Sequence, residues 1–276
     1  MELKNYIRVG CELENKFKVM EKRTESRVEI RKGRYLCIRI DGIGLSKKYL
    51  KNKIEEDVFD QLIKKATVAT YERLKMKAPR CTKNIFLCAF ACSDEVSVFF
   101  NNLPNDYEGR LFKITTTVAS TFSAMFTRAA MQMNLKNNLN ENHTFDAESF
   151  DGRPIEFKNL DQIYHYLFHR YATYIRNTAT KVLRIKGVSP TELYSSDNYN
   201  NIEYIWDKLF STNQSDSINT IQKHPRLFVP NSSNHFKEHR FETIENFIRV
   251  APELISEYEG RLKQQDTRIY QFALSH

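Results

Sequence analysis

The residues of this chain best suited to chemistry are carboxylates placed at the ends of apolar runs. Ser93-Asp94-Glu95 stands between Phe86-Leu87-Cys88-Ala89-Phe90-Ala91-Cys92 and Val96-Ser97-Val98-Phe99-Phe100. Two apolar runs of strand length joined by so short a polar link predict a β-hairpin with adjacent carboxylates at its tip. A solvated turn would account for an acidic pair standing alone, because turns favour Asp and Ser. A second cluster weighs against that reading. Tyr35-Leu36-Cys37-Ile38-Arg39-Ile40 is another strand-like run, and it stops at Asp41-Gly42-Ile43-Gly44. A carboxylate at a strand end, followed by a glycine that leaves its carbonyl open, can sit beside a neighbouring hairpin tip. Asp41, Asp94 and Glu95 would then converge at one margin of one sheet, where a cation such as Mg²⁺ relieves their repulsion and lost hydration. Two-metal phosphoryl or nucleotidyl transfer requires such an arrangement, with ions on both the attacking and the leaving oxygen.

Cations follow the first cluster closely. Lys47, Lys48, Lys51 and Lys53 read either as a solvated loop or as a clamp for a triphosphate. Arg110 and Lys113 fall in the first turns of a predicted helix, where the backbone dipole disfavours them unless solvent or an anion compensates. Other metal-type spacings are weaker. Cys88 and Cys92 are four apart on a predicted strand, with no matching second pair, and read as core. His235 and His239 have the spacing of two zinc ligands on a helix turn, but no third ligand is in view.

The elements that must position these groups follow in order. Residues 1–33 are polar, helix or loop leading into the first strand. Val58, Leu62, Ala66, Ala69 and Leu74 recur at helical spacing across 54–77, and Pro79 ends that helix. After the hairpin of residues 85–100, Val118, Phe122, Met125, Phe126 and Ala129 predict a second helix over 107–135. A polar, Asn-rich connection over 134–148 leads to a last strand at 150–157. Strand, helix, hairpin, helix, strand is the βαββαβ order of a ferredoxin-like α+β sheet with helices on one face. It makes the first strand and the second hairpin strand neighbours, which brings Asp41 near the hairpin tip. A helix follows over 160–184, then a less regular segment, and a last helix over 238–258 interrupted near Pro252. The expected division is a catalytic unit over 1–185 and a partly helical region over 186–276.

With 276 residues, 41% of them hydrophobic, the chain can bury a substantial core. No apolar stretch approaches the ~20 residues of a membrane span. The N-terminus lacks the apolar core of a signal peptide, so the expected location is the cytoplasm, with no membrane partner. Five cysteines, an odd number, argue against a disulfide scaffold. A net charge of +8 fits a partner made of nucleic acid or nucleotides.

With these elements in place, the chain resembles the tRNA-histidine guanylyltransferase family and its wider group of 3′-to-5′ RNA polymerases, over about residues 34–185. Arg39-Ile40-Asp41-Gly42 matches the family's first metal motif, and Cys92-Ser93-Asp94-Glu95-Val96-Ser97 its second. Phe150-Asp151-Gly152-Arg153 gives a third match. The resemblance implies a polymerase-type palm in which Asp41, the Gly42 carbonyl and Asp94 hold two Mg²⁺ ions while Glu95 supports them. It implies that Arg39, Ile43, Gly44, Lys53, Ser93, Arg110 and Lys113 bind the nucleotide, and that Arg153, Arg170, Arg176 and Asn177 bind RNA. ATP and GTP are the implied substrates, tRNA or another structured RNA the implied partner, and a homotetramer the implied assembly. In His169-Arg170-Tyr171-Ala172-Thr173-Tyr174-Ile175-Arg176-Asn177 the chain keeps both arginines and the asparagine of a family motif and lacks its Gln and Asp. The expected reaction is templated addition of nucleotides to an RNA 5′ end. Two alternatives use the same sequence: a palm-type enzyme that cyclises nucleotides or makes a second messenger without RNA, and a non-catalytic RNA-binding relative.

Overall fold

The computed structural model describes residues 2–45, 56–77, 86–101, 109–137, 148–195, 201–211 and 215–274. Its centre is a six-stranded antiparallel sheet in a mixed α/β fold. The strands are β1 (Tyr35–Gly42), β2 (Phe86–Cys92), β3 (Glu95–Phe100), β4 (Phe150–Phe157), β5 (Arg226–Pro230) and β6 (Phe236–Arg240). Their order is β4-β1-β3-β2-β5-β6. The first strand and the second hairpin strand are indeed neighbours, with Leu36 opposite Phe100 and Asp41 opposite Glu95.

Strand periodicity divides the apolar residues between two faces. Leu36, Ile38, Ile40, Val96, Val98 and Phe100 form one core with α3 (Glu56–Lys77) and α4 (Leu111–Asn137). Phe122 and Phe126 of α4 pack on Phe150 with ring centroids 4.8 and 5.1 Å apart. Each such ring contributes on the order of 2–3 kcal/mol by leaving water. Gly152 lets α4 cross β4 closely, since a Cβ there would lie 3.0 Å from that of Ala119.

Cys37, Phe90, Phe99, Ile155 and Phe157 face the other way and form a second core. It is covered by α1 (Leu3–Glu12), α2 (Glu14–Glu25) and α5 (Leu160–Ile185), together with helices of the C-terminal third. The sheet is therefore covered on both faces, which corrects the expectation of helices on one face alone. The sequence before residue 33 supplies two of those helices, which bury Ile7 and Phe17, with Leu3, Tyr6, Cys11, Leu13 and Met20 packed partly buried beside them.

The C-terminal third holds α6 (Pro190–Leu193), α7 (Ile202–Ser211), α8 (Ser215–Gln222), the β5–β6 hairpin and α9 (Ile244–Leu274). β5 pairs with β2, so the hairpin extends the same sheet. Buried Arg226 ties it to α3 through an ion pair with Asp60. His239 lies on strand β6 and His235 just before it, where it binds Glu72 at 2.9 Å, so this pair is not on a helix turn as its spacing had suggested. α9 continues through Pro252 rather than breaking there, and its Glu259 binds the Tyr35 hydroxyl. Among the described residues no helix is long and apolar enough to cross a membrane.

Candidate active site

Asp41 sits at the end of β1, opposite Glu95 on β3 and Asp151 on β4. The chain then bends away through Gly42 and Gly44, the latter at φ +76°. Gly42 N–H donates to the Asp94 carbonyl at 3.2 Å, which locks the strand end to the hairpin tip. A Cβ at Gly42 would lie 2.3 Å from Leu45 Cδ1 and 3.3 Å from the Asp94 Cβ. Only glycine leaves room for this approach. Ile43 N–H donates to the Ser149 carbonyl at 3.0 Å, so the residue after the glycine is tied to the start of β4.

The hairpin turn is as short as the sequence predicts, with Cys92 paired to Glu95 around Ser93 and Asp94. Ser93 has φ +56°, the left-handed backbone that the first central residue of a two-residue hairpin of this hand requires. A serine held there carries strain of order 1 kcal/mol, and this strain sits beside the candidate site. Asp94 is 8% exposed and Glu95 7%.

Glu95 has definite partners. Arg170 of α5 grips it with two parallel hydrogen bonds, one at 2.7 Å from Nε to Oε1. Arg39 Nε lies 3.9 Å away from it. Arg39 reaches on to Glu21 of α2 at 3.1 Å, Glu21 lies 3.8 Å from Arg153, and Arg153 binds Asp151 at 2.9 Å. Arg170, Glu95, Arg39, Glu21, Arg153 and Asp151 thus form an alternating chain of charge on one face. Asp41 lies between two of its acids, Glu95 and Asp151. Burial, then repulsion from Glu95 and Asp94, push the Asp41 carboxyl up to about 6, with Arg39 opposing.

The three carboxylates expected to converge are therefore brought together unequally. Glu95 is held by arginines, while Asp41, Asp94 and the Gly42 carbonyl, joined where the strand end meets the hairpin tip, are oxygens of the kind that suits a cation. Among the described residues no group of three His, Cys, Asp or Glu side chains is arranged to hold a metal. Mg²⁺ fits the smaller set, because it commonly takes one or two carboxylates and completes its shell with water and substrate phosphate. The raised Asp41 carboxyl marks a place where added positive charge is favourable.

The other expected residues separate into groups. Ile43, 61% exposed, and Gly44 lie on the bend beside Asp41, and Ser93 on the hairpin tip. Arg39 lies within the charge chain. Arg110 and Lys113 are exposed at the start of α4, where the Arg110 backbone pairs with that of Glu29 in an isolated antiparallel β-bridge. Lys53, with Lys47, Lys48 and Lys51, lies outside the described residues, as does Pro79. Arg170 and Arg176, expected as RNA contacts, have acidic partners within the protein: the first grips Glu95, and the second, 3% exposed, reaches Glu14 of α2 at 3.4 Å. Asn177 is exposed, and Arg153 partly so. Two members of the charge chain, Asp151 and Glu21, were not singled out from the sequence. Asp151 carried a signal in its Phe-Asp-Gly-Arg motif, while Glu21, one of several acids on a polar helix, carried none.

Known proteins resemble this chain in sequence family and in fold. The family model described as tRNAHis guanylyltransferase matches residues 16–156, just over half of the chain. Among solved structures, the tRNAHis guanylyltransferase of Saccharomyces cerevisiae is similar at TM-score 0.54 and 22% identity, over 78% of this chain and 93% of that one. A bacterial tRNAHis guanylyltransferase (Thg1)-like protein in complex with ATP is similar at TM-score 0.60 and 16% identity, over 88% and 99%. A bacterial Thg1-like protein in complex with GTP gives TM-score 0.55 at 15% identity, over the same shares. No curated protein matches the sequence.

Proposed function

Because the chain belongs to the tRNAHis guanylyltransferase family, we propose that it is a nucleotidyltransferase adding nucleotides, in the 3′-to-5′ direction, to the 5′ end of tRNA or a tRNA-like RNA. The observation that carries this reading is the junction of Asp41-Gly42 with the Ser93-Asp94 turn, inside the segment that the family model matches. ATP and GTP are the proposed nucleotide substrates, supported by the bacterial relatives solved with each. The order β4-β1-β3-β2 supports reading residues 1–185 as a ferredoxin-like palm that carries the chemistry. Residues 186–276 are then an added region on the same sheet. A homotetramer in the cytoplasm completes the proposal.

The reaction balances in two transfers. An oxygen of the RNA 5′-monophosphate attacks the α-phosphorus of a nucleoside triphosphate, and pyrophosphate leaves. The 3′-hydroxyl of the incoming nucleotide then attacks the RNA 5′-phosphorus of the activated end, and the nucleoside monophosphate leaves. Asp41, the Gly42 carbonyl and Asp94 would hold two Mg²⁺ ions. Bound Mg²⁺ supplies charge neutralisation at the reacting phosphate oxygens. The chain's own residues supply position. Arg170 fixes Glu95, and Glu95 with Arg39 fixes the end of the strand that carries Asp41. Ser93, Ile43 and Gly44 border the place a triphosphate would occupy, and Arg153 adds positive charge on the same face. Arg110 and Lys113, exposed on α4, are assigned to nucleotide or RNA phosphates further out, and Asn177 to RNA.

Transfer of label from an α-labelled nucleoside triphosphate to a 5′-monophosphorylated tRNA lacking its first nucleotide tests the reading. The expected product is longer by one or more nucleotides at the 5′ end. A labelled small molecule formed without RNA, or extension at the 3′ end, would contradict it.

A further inference from the structure

The edge of the sheet beyond β4 is closed by α2, whose Thr24 hydroxyl accepts a hydrogen bond from Glu156 N–H at 3.1 Å. Beside this contact lies a cleft of about 650 Å³ between α2, the segment 27–31, the end of β4 and the start of α5. Lys16, Arg23, Arg27, Arg31 and Lys158 line it, and among the described residues that line it Glu156 is the sole carboxylate. The Glu156 side chain is 2% exposed and already occupied. It accepts from Arg27 Nη1 at 2.7 Å, from Arg31 Nε at 2.6 Å and from the Arg31 backbone N–H at 2.9 Å.

One buried acid thus anchors two arginines, and the cleft keeps a surplus of positive charge. Lys16, Arg23 and Lys158 stand exposed around it. A surface built only for stability interleaves charges of both signs, because like charges gathered in one concavity repel. Here the guanidiniums are ordered before any ligand arrives, so an anion meets donors whose side-chain entropy is already spent. The volume exceeds that of one phosphate, and the cations are spread along it. That suits a run of backbone phosphates more than a single anion.

The cleft shares strand β4 and helix α2 with the candidate active site, although Asp151 and Glu156 point to opposite faces of the sheet. Asp151 and Glu156 lie on the same strand, five residues and so roughly 17 Å apart. α2 borders both places, with Glu21 in the charge chain and Arg23 in the cleft. That separation is within the reach of a short stretch of RNA backbone. We propose that the cleft is a second phosphate-binding site, holding the backbone of the RNA substrate away from its reacting 5′ end. The inference rests on the proposed function and adds a place where the RNA is held.

The test uses the full-length chain with Lys16→Ala, Arg23→Ala and Lys158→Ala combined. Arg27 and Arg31 stay in place, because removing them would leave Glu156 buried and unpaired. RNA affinity is measured against salt concentration, alongside ATP affinity with Mg²⁺ and the thermal melting curve. The expected result is RNA binding weaker by about tenfold or more and a salt slope shallower by about two to three, with ATP binding and melting unchanged. An RNA affinity and slope equal to wild type would overturn the inference, as would loss of ATP binding with the RNA slope intact. Failure of the functional reading looks different. RNA binding that depends on these three residues, without any nucleotide transfer, would leave the cleft standing and remove the polymerase, whereas wild-type protein that does not bind RNA would remove both.

Discussion

Arg170 meets Glu95 side-on, its Nε and Nη2 donating to the two carboxylate oxygens, with both side chains largely withdrawn from water. A pair of this kind fixes the backbone that carries it, and here that backbone is the first residue of β3, one place beyond Asp94. Arg170→Ala leaves a buried carboxylate without its main partner and should cost about 3–5 kcal/mol in urea unfolding. The double variant Arg170→Met with Glu95→Gln should recover much of that loss. Equal stability of the single and double variants would show that the pair is not coupled.

Asp41→Asn should stabilise the metal-free protein. The Asp41 carboxyl is pushed up to about 6 by burial and by Glu95 and Asp94, so its neutral form is favoured in the folded chain. The stability it contributes is full below the ordinary carboxylate range of ~4 and is lost as pH rises through about 6. At pH 8 the asparagine variant should be more stable by about 1 kcal/mol, after discounting for solvent at this partly exposed position. Added Mg²⁺ should raise the wild-type melting temperature and leave the variant's unchanged. A metal response in the variant equal to that of wild type would argue against Asp41 as a ligand.

Acid should weaken the junction of α1 and α5. His169 is 2% exposed, stacks on Phe17 with centroids 5.3 Å apart and donates from Nδ1 to the Gly10 carbonyl at 2.9 Å. Burial, with Arg170 nearby, lowers its pKa to about 4. Its neutral form therefore contributes fully above ~6.5, and that contribution is lost as pH falls from there towards about 4, to a total of roughly 3 kcal/mol. His169→Gln should flatten this part of the stability profile, and an unchanged acid limb would refute the assignment.

Ser93→Gly removes the cost of the left-handed backbone at the hairpin tip and should stabilise the protein by about 1 kcal/mol. Urea midpoints check this. If the Ser93 hydroxyl also contacts a triphosphate, ATP affinity falls while stability rises, a combination that a merely structural serine would not produce.

Much of this site was legible because its signals are local. An apolar run ending in Asp-Gly, and two runs joined by Ser-Asp-Glu, each specify a strand and where it stops. Register then brings Asp41 opposite Glu95 without further information. What escaped depends on partners distant in the chain. Arg170 and Arg176 were assigned by family resemblance, and the acids folded against them, Glu95 and Glu14, are supplied only in three dimensions. Residues 1–33 looked polar because their fully buried apolar residues, Ile7 and Phe17, are few, yet with Leu3, Tyr6, Leu13 and Met20 beside them they seat two helices on the second face. The β5–β6 hairpin was hidden by its charged outer strand, Phe236-Lys237-Glu238-His239-Arg240, whose polarity suits a sheet edge and resembles a loop.

The central claim is that Asp41 and Asp94 together hold the metal on which nucleotide transfer depends. Its most direct test is the initial rate of 5′ addition to monophosphorylated tRNA as Mg²⁺ is titrated, for wild type, Asp41→Asn and Asp94→Asn, with circular dichroism as the control for folding. The account predicts a saturable Mg²⁺ dependence in wild type and a loss of about a thousandfold or more in each folded variant, in line with losing ~4 kcal/mol of transition-state stabilisation. Either variant reaching wild-type rates at the same Mg²⁺ concentration would contradict it.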